Sequence, residues 1–466
     1  DVLPHLHLAT RLFDGRRQLM GKTAHAAAAA YTAGVLAPLW PLIGNAADIT
    51  KAYPEELLSI DAYTKGKIKT GDYITAENVD IVKDMIDPIA YEQIKNMGRR
   101  IKIRPTTTDT SKLFGAEYLE ATLRNQGQAT FDEAGNIRTK DGKPWIGGNP
   151  FPDPKDAHQA IANLTLSWGR NDYTLYAIRE RDLNPDGNVA YNYDFIWSEL
   201  AAANRLDGTI FRDDPSMLRY QTVFFTSTRD VAGSSFLNNW HYDQRKFPDL
   251  YGYLPQFRRV RQFPTNQRFE PLIPGVTWIL SDAWAAGDPM LTWGNYKVVG
   301  SKPWLGAVSG NWRPDNNRET PVHGGPQGQS FFDTEFEMIP EVLVLDAEPT
   351  EYPRAPVGKK RIWVDVRNGM FLSYVRYDRN GKPWVSFEAG FGQQTDGDAA
   401  MMEASGKSPV WTWNYVLAHD IQGNRISLID HVDEVTGGYK SHFDADPEEA
   451  FDRFFTQQAI TRLGQV

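Results

Sequence analysis

The C-terminal third of the chain combines long apolar–polar alternation with turn dipeptides, and few folds accommodate that pattern. Three dipeptides, Asn368-Gly369, Asn380-Gly381 and Gly423-Asn424, separate segments that are rich in β-branched and aromatic residues. Such dipeptides close two-residue hairpins between antiparallel strands. The sequence after Ser330 therefore predicts a meander of long antiparallel strands.

A second group of strand candidates lies between Asn171 and Phe263. Residues there alternate with a period of two and are interrupted by polar or Pro/Gly breaks, which is typical of strands. The candidates are 171–182, 216–230, 234–244 and 249–263. The two groups together favour one large β-rich domain.

Helices are predicted at both ends of this strand-rich region. Thr75 is a candidate N-cap for residues 75–86, and Pro88 begins a helix that runs to Asn96. Asp153 and Pro154 have the residue types of an N-cap and a first helical position, and the pair Asp446–Pro447 repeats that pattern near the C-terminus. We therefore expect a mainly β, α+β domain over residues 48–466.

Residues 1–47 resemble an extension followed by a secretory signal. Between Ala24 and Asp48 there is no Asp, Glu, Lys or Arg, and small residues precede a possible cleavage after Ala46. Met20 is the expected start of translation. The alternatives are a buried Ala-rich helix or a membrane anchor that is retained, although Pro38 and Pro41 weaken a long spanning helix.

Composition excludes several function classes. The formal charge of −9 argues against a dedicated nucleic-acid-binding protein, and no nucleic-acid partner is predicted. The chain has 0 Cys, which excludes disulfides, thiolate catalysis and iron–sulfur clusters. Aromatic residues make up 12% of the chain; such side chains favour strands and can line apolar clefts, although most of them are expected in the core.

No catalytic motif stands out. The sequence has no G-x-S-x-G, H-E-x-x-H or Walker motif, so we predict no catalytic residue, no metal site and no cofactor. His241 and Asp243 share one face of a strand candidate, and His431 lies between Asp430 and Asp433. Both groups are weak candidates for a base or a cation site, and surface or loop polarity explains them as well.

The strand candidates carry apolar faces that must be covered by something. A large exposed apolar face is rare in a soluble protein, so either helices cover it completely or a cavity for a ligand remains. On this basis we predict apolar ligand-binding residues on three strand candidates. They are Leu218, Tyr220, Phe224, Tyr253, Phe257, Val385, Phe387 and Phe391.

Six segments in order along the chain resemble one family, domain of unknown function 1329. They are GGNPFPDPKDAHQAI, YLPQFRRVRQFPT, WGNYKVVGSKPW, KKRIWVDVRNGMFLSYVRYDRNGKPW, HDIQGNRIS and FTQQAITRLG. Residues 281–297 and 59–70 diverge from the usual family pattern. That divergence affects the identity of a cargo rather than the fold.

The resemblance implies a fold similar to the LolA/LolB lipoprotein carriers. This is a long antiparallel sheet curled into an incomplete barrel, with helices covering its open face. It implies a non-enzymatic carrier or adaptor in the Gram-negative periplasm that binds a lipid-like hydrophobic molecule. RND/MMPL-type transporters and outer-membrane proteins are the implied partners. The family supplies no catalytic residues.

Arg258, Arg259 and Arg261 form a basic cluster in a strand candidate. Either they pair with carboxylates of the protein itself, or they contact an anionic headgroup or a transporter surface. Three functions thus remain open: a carrier, a docking protein without cargo that uses loops 309–329 or 390–408, and an envelope hydrolase that uses His241/Asp243 or residues 430–433.

Overall fold

The structure is a computed structural model that describes residues 39–45, 48–166, 170–228, 230–264, 268–285, 287–308, 320–394 and 401–465. Most of the predicted signal region, Trp168, and parts of the two long polar loops lie outside the described residues. Within the described ranges, no helix has the length and apolar character that crossing a membrane requires.

The described chain is mostly β. Its twenty-one strands are β1 (Tyr73–Ile74), β2 (Ile101–Arg104), β3 (Ala129–Phe131), β4 (Ile137–Thr139), β5 (Tyr173–Leu183), β6 (Val189–Ala201), β7 (Met217–Ser227), β8 (Ser235–His241), β9 (Asp249–Leu254), β10 (Arg259–Phe263), β11 (Gly294–Gly306), β12 (Val322–His323), β13 (Phe331–Phe332), β14 (Glu335–Glu348), β15 (Val357–Asp365), β16 (Phe371–Asp378), β17 (Pro383–Gln393), β18 (Trp411–Asp420), β19 (Arg425–Val432), β20 (Glu434–Val435) and β21 (Tyr439–Lys440).

The helices are short. The α-helices are α1 (Leu39–Gly44), α2 (Ile60–Thr64), α3 (Pro88–Asn96), α4 (Ala116–Arg124), α5 (Ala157–Leu166), α6 (Pro447–Phe454) and α7 (Gln457–Leu463). Single 3-10 turns occupy Ile49–Lys51, Glu55–Leu57, Val79–Ile81, Lys83–Met85, Thr110–Lys112 and Phe211–Asp213, and a longer 3-10 helix spans Leu280–Ala285.

One large curved sheet contains 15 of the strands. Its order is β1-β2-β14-β15-β16-β17-β18-β19-β5-β6-β7-β8-β9-β10, and β11 also pairs with β14. All of its pairings are antiparallel except that of β14 with β2. Among the described residues β1 and β10 do not pair with each other, so the sheet does not close into a barrel. The predicted mainly β fold with an incomplete barrel is confirmed.

The predicted meander is also confirmed, with longer turns than expected. Strands β15 to β17 and the pair β18–β19 form hairpins at the three turn dipeptides. The connections span residues 366–370, 379–382 and 421–424 rather than two residues each. Asp378 shows the reason, since its side chain accepts hydrogen bonds from the Asn380 and Lys382 N–H groups and stabilises a wider turn.

Both faces of the sheet are covered. One face, here called the cavity face, carries Tyr176, Phe195, Phe387 and Trp413 and packs against α5. The opposite, outer face packs against the N-terminal segments on β18 and β19 and against α6 and α7 on β5 to β9. The terminal helices therefore lie on the outer face. The cavity face is covered by α5 and by a segment in the middle of the chain.

The predicted helix starts are partly correct. Asp87 and Asp446 are N-caps, as their hydrogen bonds to helical N–H groups show. The helix predicted at 75–86 is instead a turn followed by two 3-10 turns, and α5 begins at Ala157 rather than at Pro154. The C-terminal helix breaks at Phe455, after which Thr456 caps α7.

Candidate ligand-binding cavity

An apolar cavity of about 70 Å³ lies on the cavity face. Six consecutive strands of the large sheet, β16, β17, β18, β19, β5 and β6, line it. The lining residues are Tyr176, Ile178, Phe195, Trp197, Trp278, Ala283, Phe371, Phe387, Ala389, Trp413, Val416 and Ile429. Every one is apolar or aromatic, so the cavity offers a ligand no charged group.

Strand register brings these side chains together. Tyr176 of β5 lies directly opposite Trp197 of β6, and Ile178 lies opposite Phe195. Because residues two apart on a strand share a face, both pairs point to the same side of the sheet. Phe387 of β17 stacks on Tyr374 of β16, with ring centroids 5.4 Å apart. Cross-strand pairs thus build the aromatic wall.

Residues 268–285 and 287–293, here called the covering segment, cross the cavity face. Trp278 is its central contact. The Trp278 ring stacks on Phe195 at 6.2 Å and approaches Trp197 at 6.1 Å. Its indole N–H donates to the Glu180 carboxylate at 2.7 Å. The Trp278 side chain therefore closes the cavity and is also hydrogen-bonded to β5.

Polar groups on both sides of Trp278 attach the middle of the covering segment to the sheet. The Thr277 N–H donates to the Ser427 hydroxyl at 2.9 Å, and the Lys360 ammonium donates to the Ser281 carbonyl at 2.7 Å. The Arg376 guanidinium lies 3.4 Å from the Asp282 carboxylate. Burial lowers the pKa of Lys360 to about 8. These buried contacts are directional, so they fix where the segment lies.

Glu180 and Asp182 form a buried carboxyl pair at the edge of the cavity. They are two residues apart on β5 and therefore share a face. Burial raises the pKa of Glu180 well above its usual value and raises the pKa of Asp182 to about 7. The Ser427 hydroxyl donates to Asp182 at 2.5 Å. A proton held on this pair at neutral pH reduces the cost of burying it.

The cavity is small for a lipid. An engineered apolar cavity of about 150 Å³ accommodates benzene, which is the size scale for a single ring. At about 70 Å³, the cavity cannot hold an acyl chain unless the walls or the covering segment move.

The structure separates the eight predicted ligand-binding residues. Phe387 lines the cavity, and Phe391 and Leu218 are buried in the same core. Val385 is buried two residues from Phe387 on β17. Tyr220, another of the eight predicted residues, packs on the outer face, where its ring contacts Phe451 of α6.

The remaining three predicted residues lie away from the cavity. Phe224 and Tyr253 are buried on the outer face beneath α6 and α7. Phe257 lies in the β9–β10 turn and is 47% exposed. A bulge between Met217 and Arg219 shifts the register of β7 against β8, which explains why Leu218 and Phe224 face opposite sides. Ligand binding by any of the eight residues stays a prediction.

The predicted basic strand is a hairpin. Arg259 and Arg261 lie on β10, whereas Arg258 is in the turn with a φ of 50°. The Arg261 guanidinium lies 4.2 Å from the centre of the Phe257 ring. In the described part of the chain, none of the three arginines forms an ion pair with a carboxylate. The pairing alternative is therefore not seen.

The candidate catalytic groups are held by other partners. His241 contacts Asp249 at 3.1 Å, while Asp243 accepts from Arg245 at 2.8 Å, so His241 and Asp243 do not form a pair. His431 is buried, and burial lowers its pKa to about 4. Asp430 accepts from the Thr320 hydroxyl at 2.5 Å. The described residues contain no group of three or more His, Asp or Glu that could hold a metal ion.

The sequence interpretation missed most of the cavity. β6 was not predicted, although Tyr191, Tyr193, Phe195 and Trp197 alternate along it. Trp411 and Trp413 show the same period-two signal within a predicted strand. Trp278 carries no such signal, because the covering segment has neither helical nor strand periodicity.

The chain is similar to several solved structures, three of which are 12% to 14% identical to it. A domain described as an outer membrane lipoprotein-sorting protein, from Vibrio parahaemolyticus, is 14% identical, with a TM-score of 0.40, covering 66% of this chain and 99% of its own. A DUF1329 family protein from Desulfovibrio piger is 12% identical, with a TM-score of 0.42, covering 65% of this chain and 97% of its own.

A LolA superfamily protein from Nitrosomonas europaea is 12% identical, with a TM-score of 0.35, covering 65% of this chain and 99% of its own. No functionally curated protein matches the sequence. The family model described as protein of unknown function (DUF1329) matches residues 73–461, most of the chain, and the chain therefore belongs to this family.

Proposed function

We propose that this protein is a carrier that encloses a lipid-like hydrophobic molecule between its curved sheet and the covering segment. The observation that carries the proposal is the cavity of about 70 Å³ with a wholly apolar and aromatic lining. Burying apolar surface there stabilises a bound molecule by about 25 cal/mol per Å². The cavity supplies shielding and no reactive group.

Loading and release require two states of the covering segment. In the closed form, which is the one that the structure describes, the cavity is too small for an acyl chain. Cargo therefore enters as Trp278 moves away from Phe195 and Trp197. The hydrogen bonds of Thr277 and Ser281 to the sheet resist this movement. A partner that binds the open form better would drive release, because a ligand shifts an equilibrium only through differential affinity.

The periplasm of a Gram-negative cell is the proposed location, and an RND/MMPL-type transporter or an outer-membrane protein is the proposed partner. The residue pattern at 24–46 and the family membership support this part of the proposal. We infer a binding protein rather than an enzyme. The supporting observation is that His241, Asp243, Asp430 and His431 each contact other groups of the protein.

Filling the cavity tests the proposal. Ala389→Leu places three extra carbon atoms among the lining residues and leaves polar groups untouched. We expect wild-type protein to bind the neutral probe 1-N-phenylnaphthylamine, and the variant to bind it at least tenfold more weakly. Fluorescence titration measures both affinities.

Ala76→Leu is the matched control, since Ala76 is exposed and distant in the fold. It should bind the probe as wild type does. Equal binding by all three proteins, together with no hydrophobic molecule in native mass spectra of protein taken from its own periplasm, would overturn the carrier proposal.

A docking protein without cargo is the second candidate function. The β9–β10 hairpin favours it, because Phe257 is 47% exposed beside three arginines that have no carboxylate partner in the described residues. Charge reversal at Arg259 and Arg261 should then abolish capture of the envelope partner in a pull-down and leave probe binding unchanged. Unchanged capture would exclude this surface.

A further inference from the structure

A second, polar pocket lies beside the apolar cavity. Its volume is about 20 Å³, enough for a single small group, and it lies where α5, β6 and β7 meet. Two arginines, Arg170 and Arg219, line it together with one carboxylate, Glu199. The pocket therefore has a formal excess of one positive charge.

Arg170 is buried, and none of the carboxylates in the described residues forms an ion pair with it. Its side chain lies over the rings of Tyr118, Trp411 and Phe114, at 4.6, 5.3 and 5.9 Å from the ring centres. One guanidinium nitrogen donates to the Asn368 carbonyl at 2.6 Å. The other two, Nε and Nη1, have no hydrogen-bond partner among the described residues, although only 4% of Arg170 is exposed.

A buried guanidinium in this state is costly, because burial removes water without replacing all of its acceptors. Two other buried arginines of the described residues are neutralised by carboxylates. Arg99 has Glu388 at 2.6 Å, and Arg367 has Asp365 at 2.7 Å. Arg170 thus differs from the buried ion pairs elsewhere in the sheet, and it lacks the acceptors that an anion would supply.

The polar pocket continues the apolar cavity along two strands. Trp197 lines the cavity, and its indole N–H donates to Glu199 of the polar pocket at 2.7 Å. On β18, Trp413 lines the cavity while Trp411, two residues away, contacts Arg170. Two residues of a strand span about 7 Å, so one molecule can reach both sites.

We propose that the cargo is an amphiphile with an anionic head, whose apolar tail occupies the cavity and whose carboxylate or phosphate binds Arg170 and Arg219. This inference rests on the proposed carrier function and specifies the class of its ligand. The guanidinium fork matches an oxyanion, and low exposure strengthens the contact. Glu199 disfavours a second negative charge, which selects a head with low charge.

Four probes distinguish binding in the apolar cavity from binding in the polar pocket. Three of them have a tail of twelve carbon atoms and one has no tail. Dodecanoate and monododecyl phosphate have a tail and an anion, 1-dodecanol has only the tail, and inorganic phosphate has only the anion. Each is titrated against wild-type protein that carries 1-N-phenylnaphthylamine, and displacement is followed by fluorescence. We expect both anionic amphiphiles to bind at least tenfold more tightly than 1-dodecanol, and inorganic phosphate to displace nothing.

The substitution Arg170→Gln should reduce that preference to less than twofold without weakening 1-dodecanol. Arg261→Gln is the matched control on the surface and should keep the full preference. If Arg170→Gln does not fold, Arg219→Gln and the wild-type comparison of dodecanoate with 1-dodecanol give the same readout. Whichever of the two anionic amphiphiles binds more tightly identifies the head as a carboxylate or a phosphate.

The failures of the two proposals differ. Binding of 1-dodecanol and dodecanoate with equal affinity would overturn the anionic head and leave the carrier intact. If inorganic phosphate alone displaces 1-N-phenylnaphthylamine, the proposed anionic head is overturned and the polar pocket is a site for free anions. No binding by any tailed probe would overturn the carrier function and this inference with it.

Discussion

Trp278 donates its indole N–H to the Glu180 carboxylate across 2.7 Å, which joins the covering segment to the middle of β5. The same ring stacks on Phe195. Opening the cavity must therefore break a buried hydrogen bond and expose an aromatic surface in one movement. Trp278 therefore contributes to the energetic cost of opening, beside the polar contacts of Thr277, Ser281 and Asp282, and its contribution is accessible to substitution.

Trp278→Phe should loosen the cover. The phenyl ring retains part of the contacts of the indole ring, but the buried Glu180 carboxyl loses the indole N–H as its donor. This loss lowers the free energy of unfolding by about 1–3 kcal/mol. We expect a lower urea midpoint and faster association of 1-N-phenylnaphthylamine in stopped-flow fluorescence. Trp304→Phe is the control, since Trp304 stacks on Trp363 in a separate cluster. A faster association rate in that control as well would show that the effect is not local to the cover.

Asp182→Asn should flatten the dependence of stability on pH. The folded-state pKa of Asp182 is raised to about 7 from 3.8, so between these values the folded protein holds a proton that the unfolded chain releases. The contribution of Asp182 to wild-type stability therefore falls as pH rises through that window, by at most about 1.4 kcal/mol per pH unit. Urea unfolding at pH 5, 6 and 7 measures the slope.

The groups that face Asp182 share in this effect. Glu180 lies beside Asp182 on β5, and the Ser427 hydroxyl donates to Asp182 from β19. Burial raises the pKa of the Tyr193 phenol on β6, and the negative charges of Asp182 and Glu180 raise it further. Removing Asp182 also eases ionisation of Glu180, so the flattening reports on the pair. Asp194→Asn is the control: Arg179 and Thr436 lower the pKa of Asp194, which leaves the slope from pH 5 to 7 unchanged. An unaltered slope in Asp182→Asn would contradict the assignment.

The hairpins were predictable because their determinants are local. Asn368-Gly369 and Asn380-Gly381 fix the turns with residues adjacent in sequence, and Gly369 and Gly381 adopt φ values of 71° and 78°. The apolar set on β17 was likewise predictable from alternation. The large antiparallel sheet follows from these two signals.

The cavity was less predictable because both faces of the sheet are buried. Alternation then distinguishes two faces but does not tell which one lines a cavity, so Phe224 and Phe387 look equivalent in sequence. A single bulge at β7 moved Leu218 to the other face. Arg170 lies in a turn just before β5, and two of the rings around it belong to α4 and β18. No local pattern encodes such a site.

Phe454→Ala should separate stability from ligand binding. Phe454 is 2% exposed and packs with Phe224 on the outer face, so its loss should cost about 3–5 kcal/mol of unfolding free energy. Affinity for 1-N-phenylnaphthylamine should stay within twofold, because the cavity is on the opposite face. Phe387→Ala, in contrast, should change that affinity. Loss of binding in Phe454→Ala under native conditions would contradict the assignment of the two faces.

Glu388→Gln should release the N-terminal segment from the sheet. The Arg99 guanidinium binds both oxygens of the Glu388 carboxylate, at 2.6 and 2.9 Å, and the two side chains are 1% and 8% exposed. The substitution leaves a buried cation beside a neutral amide, for which a loss of about 3–5 kcal/mol is expected in urea unfolding. Glu335→Gln breaks an exposed pair with Lys102 at 3.6 Å and should cost less than about 1 kcal/mol. The two ion pairs differ mainly in burial. A similar loss of unfolding free energy in both variants would therefore show that the Arg99–Glu388 pair does not anchor residues 88–104.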